Sequence, residues 1–284
     1  MAIFSNQATL TYNGNTTNSN IAYGEILDVL AVTKTAVEGS YTPGALVTYA
    51  VTLRNTGSSV LSGLVITDDL GAYEIGGVTV YPLTYETGSA TLFVNGVPQV
   101  APAVNPGPPL VVSGISVPGG GDAVLIYQAR ANAYADPAVG GEINNTVSVT
   151  GDGLSAPVTA TETVVAEAAA VLTISKSITP AQVVDNDRVT YTFVIQNTGN
   201  QAVLATDDAA ITDIFDPILT DLVVTYDGVV WTEGVQYTYN AATGSFATLP
   251  GALPVPAATY TQDPVTGAYT VTPGIATLVV TGTI

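Results

Sequence analysis

Two lysines, two aspartates and two asparagines carry the chemistry open to this sequence. The 284-residue chain has no Cys and no His. That removes thiol nucleophiles, the usual general base and every His-containing triad. Its only lysines, Lys34 and Lys176, stand at matching points of an internal repeat. Side chains alternate faces along a strand, so Leu30, Val32 and Lys34 share one face, as do Leu172, Ile174 and Lys176. The same count groups Asp68 with Ile66 and Leu70, and Asp213 with Ile211 and Phe215. It also groups Asn145 with Val147 and Val149, and Asn6 with Ala8 and Leu10. Each set faces a core.

A buried ammonium tends to shed its proton, and the neutral amine is a nucleophile. A carboxyl in an apolar site can stay protonated and donate. Together they can convert an asparagine side-chain amide into an isopeptide bond, releasing ammonia. The expected assignment is Lys34 as nucleophile, Asp68 as proton-shuttling acid and Asn145 as electrophile, within one chain. The second set is Lys176, Asp213 and Asn6, with Asn6 supplied by another subunit. Each Asp is catalytic only in this autocatalytic sense. Asp69 points the other way by parity and is the poorer acid. The bland alternative is a buried or edge Lys–Asp salt bridge, or a lysine that snorkels out at the strand end.

The elements that must position these residues are strands. Short Val/Thr/Tyr-rich runs broken by Gly, Pro, Asn and Asp indicate an all-β chain. No amphipathic helix is convincing. "VVAEAAAVL" at Val164–Leu172 is rich in alanine but flanked by β-like sequence, and reads as a connector strand. "KTAVEGSYTPGALVTYAVTLRNTG" at Lys34–Gly57 matches "KSITPAQVVDNDRVTYTFVIQNTG" at Lys176–Gly199 with a constant spacing of 142 residues. "VITDDL" matches "AITDIF", and "GDAVLIYQARA" at Gly121–Ala131 matches "GIATLVVTGTI" at Gly274–Ile284. The expected organisation is a β-sandwich over residues 26–165 and a second over 166–284.

The first repeat continues into a closing hairpin, "NNTVSVTGDGLSAPVTATETVVAE"; the second has no such segment after Ile284. An unmatched hairpin, "SNQATLTYNG", lies instead near the N-terminus and aligns with "NNTVSVTGDG", placing Asn6 opposite Asn145. A sandwich lacking a strand has an open edge and an uncovered core. Residues 1–25 are therefore expected to be a donor hairpin that completes the second sandwich of a neighbouring subunit. Such a head-to-tail contact that does not close makes a filament.

Composition narrows the partners. A net charge of −18 argues against nucleic acid and anionic membranes. No apolar run reaches the length of a transmembrane helix, and no signal peptide is visible. "DNDR" at Asp185–Arg188 and "TDD" at Thr206–Asp208 lack the spacing of a calcium loop and read as turns. Trp231 and the scattered tyrosines read as packing residues rather than a sugar platform. No cofactor and no metal are expected. The expected partner is a second copy of the chain, with an unknown anchoring protein.

The pattern "VTY…NTG…ITD", followed later by "NNTVSVTG", resembles the bacterial surface-repeat family known as domain of unknown function eleven. The resemblance covers nearly the whole chain, as two copies with one permuted across the terminus. It implies two tandem immunoglobulin-like β-sandwiches, a structural role in stalks or fibres, and isopeptide-forming cores. The mass of 28.9 kDa and the lack of a visible signal peptide also resemble clostridial spore-appendage subunits, built in the mother cell before release. The expected function is thus a filament subunit, extracellular or spore-borne, and not an enzyme. The runner-up is a monomeric cell-surface adhesin or stalk fragment that binds through its loops.

Overall fold

In a computed structural model, described for residues 2–26 and 28–284, the chain is all-β. Two compact units form β-sandwiches. The first comprises Met1–Asp136, Glu142–Val165 and Pro264–Gly267; the second comprises Pro137–Gly141, Ala166–Asp263 and Ala268–Ile284. The helical content of the described residues is one short 3-10 turn, Ala205–Asp207. The connector at 164–172 is strand only at its ends, within Val158–Ala166 and from Leu172 onward.

Strict alternation builds the first sandwich. Strand Leu46–Asn55 buries Val47, Tyr49, Val51 and Leu53; its antiparallel partner Asp122–Ala131 buries Ala123, Leu125, Tyr127 and Ala129. Removing each larger apolar side chain from water stabilises the fold by about 1.5–3 kcal/mol. The lysine strand Leu30–Ala36 pairs with the other edge of Leu46–Asn55. The facing sheet runs in the order Ala103–Asn105, Leu110–Val117, Leu61–Asp68, Glu142–Thr150, Val158–Ala166, Ser40–Tyr41. The Asp68 strand is therefore covered on both edges, with Leu110 and Val147 both opposite Asp68.

The repeated "NTG" forms the same bracket in each unit. Asn55 is fully buried; its amide donates to the carbonyls of Ser59 and Val117 and its Oδ1 accepts from Gly57 N. Asn197 donates to Gln201 and Pro256 and accepts from Gly199 N. A buried amide is retained because its hydrogen bonds are met, and here they pin a strand end to a neighbouring loop.

The second sandwich has a five-stranded sheet in the order Leu172–Thr179, Arg188–Asn197, Gly274–Thr283, Thr220–Tyr226, Val229–Val230. A short three-stranded sheet, Thr212–Ile214, Ser245–Thr248, Tyr237–Asn240, makes the opposing layer. Phe193, Phe215, Leu219, Phe246 and Leu278 fill the core between them. Trp231 belongs to this core, its ring 5.0 Å from that of Tyr226. Among the described residues, Thr212–Ile214 pairs only with Ser245–Thr248, and every residue of Leu172–Thr179 is exposed.

The N-terminal segment is a hairpin by itself. Ala2–Asn6 pairs with Ala22–Ile26, and Thr9–Tyr12 with Asn15–Asn18. Asn13 and Gly14 turn the chain with φ of 49° and 80°, the doubly positive geometry that suits the twist of a two-residue hairpin. Phe4 lies across Gly24, where an added Cβ would come within 2.2 Å of the ring. Phe4, Leu10, Tyr12 and Tyr23 are all more than half exposed.

Candidate functional site: two lysine–aspartate pairs

In the first sandwich Lys34 comes from one sheet, and Asp68 and Asn145 come from the other. All three are buried: Lys34 is 4% exposed, Asp68 1% and Asn145 0%. Lys34 Nζ donates to Asp68 Oδ2 at 2.7 Å. The other oxygen, Oδ1, accepts from Leu70 N at 2.9 Å. Lys34 Nζ lies 4.8 Å from the centre of the Tyr49 ring and 6.0 Å from that of Tyr127. These two tyrosines are cross-strand partners, stacked at 5.6 Å.

Tyr127 joins the trio. Its hydroxyl donates to Asp68 Oδ2 in a short contact and accepts from Asn145 Nδ2 at 3.4 Å. Tyr49 and Tyr127 were not among the residues singled out for chemistry from the sequence. Their signal was present: each is the inward residue of an alternating run, and Tyr49 recurs as Tyr191. Asp69, of the outward parity, uses its carboxylate to hold Thr146 N and Gly71 N, which fastens the Asn145 strand beside the Asp68 strand.

Burial governs the electrostatics. Desolvation lowers the Lys34 amine from its ordinary value, against the opposing pull of Asp68. Burial pushes both phenols up, and the Asp68 carboxylate adds to the rise at each. Burial thus loosens the amine's hold on its proton and keeps the phenols protonated around an amide. An amine, a carboxyl and an amide held in a dry space is an arrangement suited to acyl transfer onto nitrogen. A bond from Lys34 to Asn145 would tie one sheet to the other.

The second sandwich repeats half of this site. Lys176 pairs with Asp213 in a short contact. The ammonium sits over Tyr191 at 4.6 Å, and over Phe193 and Phe215 at 5.4 Å each. The surroundings differ. The Lys176 side chain is 40% exposed and that of Asp213 18%, against 0% and 1% for Lys34 and Asp68. Asn6 stays on the exposed hairpin, paired with Ala22. Close by, Leu172, Ile174, Ile195, Ile211, Leu253 and Val255 line an apolar groove of about 170 Å³.

The acidic turns hold their own backbone: Asp187 accepts from Val184 N and Asp207 from Leu204 N. No cluster of three or more metal-ligating side chains occurs among the described residues, and none of their helices is long and apolar enough to cross a membrane.

No family model and no curated protein matches the chain. Among solved structures it is similar to the major pilin subunit of Bacillus cereus, at 11% identity over 87% of this chain and 64% of that one, with a TM-score of 0.38. It is similar to the pilus backbone of Streptococcus pneumoniae at 11% identity, 86% and 55% coverage and a TM-score of 0.35. A collagen-binding domain of a Staphylococcus aureus adhesin aligns at 13% identity with 50% of this chain and 99% of its own length, with a TM-score of 0.31. The chain therefore spans only about half of the pneumococcal subunit. Each likeness is distant, and the chain's own geometry carries the functional reading.

Proposed function

We propose that the chain is a structural subunit of a bacterial surface or spore-appendage filament. It assembles head to tail by donating its N-terminal hairpin, and isopeptide bonds reinforce the assembly. Lys34 and Asn145 join within each subunit, with Asp68 shuttling protons. Lys176 and Asn6 join between subunits, with Asp213 in the same role. Residues 1–25 act as the donor, 26–165 as a self-sufficient sandwich and 166–284 as the acceptor.

One observation carries this reading. In the first sandwich the Asn145 strand lies beside the Asp68 strand, with Val147 opposite Asp68 and Val149 opposite Ile66. The matching strand of the second sandwich has no neighbour on that side among the described residues, while a hairpin of matching sequence lies exposed. Transferring the register puts Ala8 opposite Asp213 and Leu10 opposite Ile211 of a second copy. Asn6 then takes the place of Asn145. The apolar groove would receive the even-numbered side chains of the hairpin.

Deleting residues 1–12 tests the assembly. The shortened chain is expected to form no fibres by electron microscopy and to keep the native circular dichroism of its sandwiches. Fibres of ordinary length from the deleted chain would defeat the donor role.

A further inference from the structure

Two buried polar atoms of the first sandwich have no hydrogen-bond partner: Tyr49 Oη and Asn145 Oδ1. The Asn145 amide nevertheless acts on the Tyr49 phenol as a hydrogen-bonding neighbour, lowering it against the larger rise from burial. Leaving a buried polar group unmatched is costly, so two such atoms in one sandwich need an explanation. Turning the amide over about its terminal torsion exchanges Oδ1 and Nδ2. The Tyr49 hydroxyl then donates to Oδ1, and the amide gives up in exchange only its long 3.4 Å contact from Nδ2 to Tyr127. Burial keeps the phenol protonated and able to donate.

The two repeats separate the roles of the two phenols. Tyr191 takes the place of Tyr49, beneath Lys176 at 4.6 Å against 4.8 Å beneath Lys34. Tyr127 has no such counterpart. The residue opposite Tyr191 in register is Val280, where the residue opposite Tyr49 is Tyr127. Only the Tyr49 hydroxyl therefore belongs to both lysine sites.

We propose that Tyr49 is a catalytic hydrogen-bond donor for the cross-link: its hydroxyl polarises the Asn145 side-chain carbonyl and holds the negative charge that gathers on Oδ1 during attack. Tyr191 does the same for the asparagine delivered to Lys176. This inference rests on the cross-linking reading above. Lys34 first passes a proton to Asp68, leaving a neutral amine and a neutral acid. The amine attacks Asn145 Cγ, and the carbonyl electrons move to Oδ1, where the Tyr49 O–H meets them. Asp68 gives its proton to Nδ2 and takes one from the attacking nitrogen. The Cγ–Nδ2 bond breaks, ammonia leaves, the carbonyl re-forms, and Asp68 ends protonated. Tyr49 keeps its proton throughout.

The test is intact mass against time for the full chain made by cell-free synthesis and kept dilute, so that the first site alone reacts. Wild type loses one ammonia. Tyr49→Phe keeps the ring beneath Lys34 and removes only the hydroxyl; its ammonia loss is expected to slow by about 100-fold or more, the effect of losing one oxyanion donor. Tyr49→Phe in an Asn145→Ala background, where no bond can form, should melt no lower than Asn145→Ala alone. Ammonia loss at the wild-type rate in Tyr49→Phe, or a large drop in melting temperature in the unreactive background, would overturn the catalytic role. A wild-type chain that retains its full mass would overturn the cross-link itself, and the role of Tyr49 with it.

Discussion

The first and second sandwiches hold the same lysine–aspartate pair in opposite states of completion. Around Lys34 the second sheet is whole: the Asn145 strand covers Asp68, and both charged groups are out of water. Around Lys176 that cover is missing among the described residues, and the lysine side chain is 40% exposed. The difference spreads along the strand. Leu30 is 6% exposed, while its counterpart Leu172 is 43%. Enclosure in the first core lowers the Lys34 amine from its ordinary value. Chemical readiness here follows from a strand placed beside the acid, rather than from the lysine and acid themselves.

The largest break of this comparison comes from Asn145→Ala. It leaves the first sandwich covered but unlinked, closer in chemistry to the second. The proposed Lys34–Asn145 bond would close a loop of roughly 100 residues, for which a chain-entropy estimate gives about 4–5 kcal/mol. Denaturant midpoints should fall accordingly, and the variant should show the full mass of its own sequence while wild type falls one ammonia short of its own. An unchanged midpoint, with wild type also at its full sequence mass, would mean that the first sandwich is held by packing alone.

A smaller effect sharpens the contrast in burial. In Asn145→Ala the amine of Lys34 remains free. Burial holds it below the ordinary lysine value of 10.5. Between its lowered folded value and 10.5 the unfolded chain binds the extra proton, so this group's contribution to stability rises with pH across that window. The stability difference between Asn145→Ala and Asn145→Ala/Lys34→Met should therefore shift in favour of Asn145→Ala as the pH rises towards 10.5. A difference that stays flat up to that pH would mean that Lys34 is not desolvated.

Much of the fold was legible because alternation and repetition are local signals. Val47, Tyr49, Val51 and Leu53 announce their strand, and the doubled "NTG" marks one corner twice. Strand parity also turned Lys34, Asp68 and Asn145 inward, and all three are buried. The contact between Tyr127 and Asp68 was not legible. It depends on which strands face each other across the core and in what register, and residues 59 positions apart carry no local mark of that. The exposure of Lys176 lay beyond parity for a related reason. Parity names a face but not what covers it, and among the described residues no strand covers that side of Thr212–Ile214.

The most direct test mixes two isotopically distinct preparations of the chain, lets them assemble, and maps the cross-linked peptides by mass. The account predicts a peptide joining Lys176 to Asn6, one ammonia lighter than its parts, in which light and heavy halves are combined freely. Lys34–Asn145 peptides should be purely light or purely heavy. A Lys176–Asn6 peptide found only with matched labels would mean that the hairpin serves its own chain, and the absence of that peptide from assembled fibres would mean that no covalent bond joins the subunits through it.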